Sequence, residues 1–391
     1  MQTLKDFKEN IPNRKSESYK YTNFTKAFEP FESFDFKQKD FDLSSLKVDG
    51  AINLFVTGGV LDEASDKSPL VHTAKAQEEV KAVNSKAFAD DYIFNLGALN
   101  TIEHSFELKD KVIVEKPIFI FHVVSNDDTH LFHQKSTYKI GKGCDLKILE
   151  VFVNTDENKV FFNHSSLVDL GENSNFLHVH HQRFNSKSVF GLNIAAQVAK
   201  NSHYKSFTTT LGSMMSRANI HIDINGEGSN ATASGVYTLQ GSQHSDINSY
   251  ISHNSPHSES HQLYKGIMND TSRGVFTGLI KVQRDAQLVN SVQMNRNLLL
   301  TKGAHANSRP QLEIFADDVK CAHGSTTGQL SEAELFYFLS RGITEEKAKM
   351  MLARAFTYDV LLKIENVLVR EYLHDDITEK FENNVFGSLD V

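Results

Sequence analysis

Two side chains able to act together on a metal or a carbonyl stand near the end of the sequence, in the run "CAHG": Cys321 and His323. Leu312, Ile314 and Val319, interleaved with polar residues, predict an extended segment here. Side chains at i and i+2 of a strand project from one face, about 6.5–7 Å apart along the backbone. A thiolate and an imidazole placed in this way suit a soft or borderline metal, or a bridged metal cluster. They equally suit a nucleophile–base pair. The plain alternative is a small buried cysteine beside an incidental histidine.

Two ligands do not complete a metal site. A structural zinc ion takes four, and a chain with two cysteines has no Cys-x-x-Cys pairs to supply them. The missing ligands come either from elsewhere in this chain, with His305 the nearest upstream candidate, or from another polypeptide. Hydrolase chemistry would need an orienting third group and an oxyanion hole, and neither is visible. The sequence has no GxSxG, HExxH or GxxxxGK[ST] motif, which leaves serine hydrolase, zincin and P-loop ATPase unsupported and gives the chain no ATP site of its own. The histidines of "HVHHQRF" (His178, His180, His181), with His253, His257 and His261, could form metal tracts, but on half-polar strands and turns they read as solvated. Cys144, in "GKGCDLKIL", reads as a packed thiol.

The elements that must hold Cys321 and His323 fall into three regimes. Residues 1–95 read as mainly helical, with Ala74 to Ala89, rich in Ala, Glu and Lys, as the clearest helix candidate. Residues 96–328 alternate short β-branched and aromatic runs with turn clusters such as "NSKS", "NGEGSN", "QGSQHSD" and "NDTSRG", starting about 12 to 17 residues apart. A sandwich, a barrel or a β-solenoid would fit this rhythm, and the length favours the solenoid, in which stacked coils bury one continuous core. Residues 329–391 read as helical. Ser331 and Glu334 form a capping box, Gly342 supplies a stop, and Thr344 caps a second helix with Glu345 and Glu346 in its first turn. The apolar stripe of that helix reads as Ala348, Met351, Leu352, Ala355 and Phe356.

The bulk numbers exclude more than they assign. A net charge of −8 over 391 residues argues against affinity for nucleic acid or anionic membrane. The scarcity of cysteine points to a reducing compartment. With no apolar leader and no membrane-length segment, the expectation is a cytoplasmic, soluble protein.

The block from "YKGIMNDTSRGVFTGLIKVQRD" through "CAHGSTTGQLSEAELFYFLSRGI" resembles the C-terminal core of the SufB/SufD scaffold family of iron–sulfur cluster assembly. "IPNRKSESYKYTNF" resembles the opening of that family's SufD branch, and with "FHVV" and "SGVYTLQGSQHSDINSYISHNSP" the likeness extends over essentially the whole chain. The resemblance implies a right-handed parallel β-helix with helical flanks. It implies a non-enzymatic scaffold that meets the sister scaffold SufB at the end of the β-helix and docks the ATPase SufC on its C-terminal helices. His323 matches the family histidine tied to the nascent iron–sulfur cluster at the SufB interface, with Cys321 as supporting ligand or packed neighbour. Reduced flavin is allowed by the family as a ligand of the assembled complex, although no flavin motif is present. SufB carries a cysteine just before its "LLIG" run; "QMNRNLLLT" here has none. The rival expectations are a structural homodimer and a carbohydrate-active β-helix protein with paired acidic residues along one face.

Overall fold

The computed structural model describes residues 11, 16–28, 41–79, 91, 93, 99–124, 130–154 and 158–382. They form a parallel β-solenoid of about seven turns. Nineteen strands among the described residues run from β1 (Ile52–Thr57) to β19 (Val319–Gly328). From β5 (Ile118–Val124) onward the odd-numbered strands join one sheet and the even-numbered ones a second, each strand pairing in parallel with the equivalent strand of the neighbouring coil. One coil is therefore two strands, one in each sheet, and the turn spacing seen in the sequence is half a coil. A ladder of turn hydrogen bonds keeps the coils in register: Ser174 Oγ accepts from Cys144 N, Ser202 Oγ from Ser174 N, and Ser229 Oγ from Ser202 N.

The two sheets read differently because their outer faces differ. In the odd-numbered sheet β5 (IFIFHVV) is buried throughout, as expected of a parallel strand covered on both sides. Ile118 and Ile120 point into the solenoid, whereas Phe119, Phe121 and Val123 point outward into a second apolar layer. That layer is closed by helices α1 (Glu332–Leu339), α2 (Glu345–Leu361) and α3 (Val367–Lys380), chiefly through Met350, Ala353 and Val360 of α2 and Val369, Leu373 and Ile377 of α3. Ser331, Thr344 and Asn366 cap the three helices, each side chain accepting from the backbone N–H three residues on. Gly342, at φ +78°, makes the left-handed turn out of α1 that a Cβ would strain.

Two expectations need correction. Ala74 to Glu79 are not helical: they belong to β3 (Val71–Glu79), antiparallel to β4 (Leu99–Leu108), because a free sheet edge was available and pairing there outweighs weak helix propensity. The rest of that candidate lies outside the described residues. The described part of residues 1–95 accordingly holds three strands and only short helical turns. In α2 the covered face is Ala348, Met350, Ala353 and Val360, while Met351 and Ala355 are exposed. The helix carries apolar residues on two faces, and only one meets the sheet.

Candidate functional site: the open terminal coil

Among the described residues, no strand is stacked beneath the last coil of the solenoid. β18 (His305–Ile314) is the last strand of one sheet and β19 the last of the other. Each pairs on one side only, β18 with β16 (Arg273–Val282) and β19 with β17 (Val289–Leu299). No residue of β18 or β19 is buried, whereas eight of the ten residues of β13 (Asn230–Leu239) are. Two ten-residue edges of unpaired backbone amides and carbonyls are a template for another strand.

Cys321 and His323 lie on this rim, and register fixes which way they face. Cys321 lies opposite Ser291, which lies opposite Ser260. His323 lies opposite Gln293, which lies opposite Gln262. Ser260, Ser291, Gln262 and Gln293 are all buried inside the coils. Cys321 and His323 thus occupy inward columns of the solenoid, with no further coil over them among the described residues. Cys321 is half-buried against Ile280, Val282, Val289 and Ala316, and this desolvation pushes its thiol above the ordinary range. His323 is exposed, and the side-chain amide of Gln293 above it is buried with no hydrogen-bond partner.

The pair stays a pair. Among the described residues no third Cys, His, Asp or Glu joins Cys321 and His323 at ligand separation. His305 is exposed at the start of β18, in the other sheet, opposite Arg273.

The histidine tracts hold the largest surprise. His178, His180 and His181, expected in solvent, are at most 1% exposed, and His253 is buried between the hydroxyls of Ser258 and Ser260. Only His257 and His261 are exposed as expected. On β9 (Asn175–Arg183), His178 and His180 point into the solenoid, toward Glu150 on β7 (Asp145–Asn154). His122 on β5 and His164 on β8 (Val160–Leu170) converge on the same carboxylate. Burial by itself would raise the Glu150 carboxyl, but the charge interaction with His164 and the hydrogen bonds from His122, His164 and His178 hold it well below the usual carboxylate range. Sequence reading passed over Glu150. The one signal available was its 30-residue offset from His180, which is one coil.

Fold and rim together define a class: a closed solenoid wall with one unsealed end that carries a thiol and an imidazole. Comparison with known proteins gives the family. The family described as "SUF system FeS cluster assembly, SufBD core domain" matches residues 122–356, and the chain belongs to that family of iron–sulfur cluster assembly scaffolds. It is 27% identical to the Escherichia coli iron–sulfur cluster assembly protein SufD over 362 residues, 90% of this chain and 84% of that protein. It is 37% identical to a SufBD family protein of Synechocystis over 204 residues, 52% of this chain and 45% of the relative. Similarity to the chloroplastic protein ABCI7 of Arabidopsis thaliana is 31% over 240 residues, 61% of this chain and half of that protein. No helix among the described residues is long and apolar enough to cross a membrane.

Proposed function

We propose that the protein is a SufD-like, non-enzymatic scaffold whose open terminal coil is completed by a sister scaffold of the SufB kind, and that a nascent iron–sulfur cluster is assembled between them. The cluster is cargo. The exposed imidazole of His323, on an inward column of an uncapped coil, is the observation that carries this reading. A neutral imidazole supplies a borderline nitrogen donor to iron, and Cys321 stands two residues away as a softer one. The rest of the ligand set would come from the partner, as two donors on an unpaired edge require.

The C-terminal helices offer a second surface. Helix α1 buries none of its residues, and Phe336, Tyr337, Leu339, Met351, Tyr358 and Leu362 expose between 36% and 70% of their area. Such a group of large apolar side chains suits a docking partner, and we assign it to the SufC ATPase, which would hydrolyse ATP on this scaffold's behalf. Nucleotide-driven movement there would open or close the scaffold interface.

The test is co-expression of the chain with its candidate SufB and SufC partners, followed by purification and iron analysis. A stable complex that holds iron, and loses most of it on His323→Ala with the complex intact, is the expected result. No complex, a chain that only pairs with its own copy, or unchanged iron in the variant would overturn the reading.

A further inference from the structure

Far from the rim, in the closed middle of the solenoid, five side chains from four strands meet at one point. His122 Nε2 lies 2.7 Å and His164 Nε2 3.1 Å from Glu150 Oε2. His178 Nε2 lies 2.7 Å and His180 Nε2 3.2 Å from Glu150 Oε1. The Ser166 hydroxyl is 3.0 Å from Glu150 Oε1 and 3.0 Å from both His164 Nε2 and His180 Nε2. All five ligand-type residues are at most 1% exposed.

All four rings present Nε2 to one carboxylate. His122 Nδ1 faces the side-chain amide of Gln134 at 3.1 Å. His178 Nδ1 likewise has an outer partner, the Tyr204 hydroxyl, at 3.1 Å. An outer hydrogen bond of this kind orients a metal-binding imidazole and fixes its tautomer. His164 Nδ1 and His180 Nδ1 are buried with no partner, so the polar contacts of these two rings all run through Nε2, on the side of the carboxylate.

We propose that the cluster of Glu150, His122, His164, His178 and His180 is a buried site for a divalent transition-metal ion of the zinc or iron(II) kind, held in one of its two triads, His122–Glu150–His164 or Glu150–His178–His180. Four imidazoles and a carboxylate suit such borderline ions, and the lack of any thiolate disfavours copper(I) and iron–sulfur clusters. Within each triad the three ligand atoms all lie within 4.8 Å of one another. Binding requires Nε2 to be free of its proton, so loading releases protons. The full burial of all five groups means the ion enters as the coils close and stays once they have closed. The site is separate from the rim and would tie both sheets together across the lumen, β5, β7 and β9 from one and β8 from the other.

The experiment uses the full chain without an affinity tag. The chain as isolated is analysed for metal, then unfolded in denaturant with chelator and refolded with or without Co2+. The site predicts about one ion per chain, visible d–d absorption of nitrogen- and oxygen-ligated cobalt without thiolate charge-transfer bands, and a higher Tm for the metal-loaded chain. The double variant Cys321→Ala/His323→Ala keeps all three, and Glu150→Gln loses all three. Should Glu150→Gln fail to fold, the wild-type chain decides. A metal-poor isolate that refolds to the same Tm with and without Co2+, and shows no d–d bands, overturns the proposal.

Discussion

His181 Nε2, on β9, and Asp376 Oδ2, on α3, lie 2.5 Å apart although 195 residues separate them in sequence. Arg183 Nε lies 2.9 Å from the same carboxylate oxygen, so the third helix is pinned to the solenoid wall by a charged contact as well as by its apolar face. His181 is buried and points outward, away from the inward pair His178 and His180, as the period of two in a strand dictates. Removing the carboxylate leaves buried donors without an acceptor. Asp376→Ala should therefore cost about 1–3 kcal/mol. Urea denaturation would read the loss, and amide exchange should show α3 opening before the coils do.

In the even-numbered sheet, Arg217 is fully buried and contacts Asp91 at 2.8 Å and Asp246 at 2.6 Å, with its guanidinium over the ring of Tyr19. It fastens the amino-terminal segment to the even-numbered sheet. Truncating one member of a buried charged group strands the others, and Arg217→Ala is expected to destabilise the chain by about 3–5 kcal/mol. Limited proteolysis should then cut near Tyr19 under conditions in which the wild-type protein resists. An unchanged cleavage pattern would show that the apolar contacts of Tyr19 and Phe24 suffice.

Acid should unfold the protein through its buried imidazoles. Desolvation lowers His133 to about 3 and His253 to about 4. An unfolded histidine titrates near 6.5, so between these values the unfolded chain binds more protons than the folded one. The stabilising contribution is fully present above about pH 6.5 and falls as pH drops toward 4, by up to about 1.4 kcal/mol per pH unit for each histidine. Urea titrations at pH 7, 6 and 5 should show this slope, and His253→Asn should flatten it.

The two thiols should separate cleanly in reactivity. Cys144 is 2% exposed and donates through Sγ to the carbonyl of Lys109, so it should react with a thiol reagent only on unfolding. Cys321 is half-buried with its pKa raised by desolvation, which lowers the thiolate fraction. In the native chain it should react more slowly than a free cysteine, and more slowly again once a partner covers the rim. Fast reaction of both thiols would contradict the burial seen here.

Rim substitutions should leave the fold alone. His323 packs under no further coil, and His323→Ala is expected to change stability by less than about 0.5 kcal/mol. A larger loss in the isolated chain, measured by thermal unfolding, would mean that the imidazole has a structural task.

Much of the architecture was legible from local signals. The half-coil rhythm of turns, the caps at Ser331 and Thr344, and the packed thiol of Cys144 depend on neighbours within a few residues, and all are present in the structure. Edge pairing at Ala74–Glu79 was not legible, because composition records propensity and says nothing of a free edge waiting at β4. Nor was the buried state of His178 and His180: burial of a polar side chain on a strand is decided by what lies one coil away, and that is a matter of register.

The chain by itself determined that strands and turns repeat, that helices follow Gly328, and that Cys321 and His323 share one face of a strand. Folding alone decided that this face belongs to an uncapped coil and that Glu150 lies among four imidazoles gathered from both sheets. The physical reason is separation in sequence. Contacts between coils join residues roughly 30 positions apart, a distance over which side-chain type carries little information until the backbone ladder has set which residue stands opposite which.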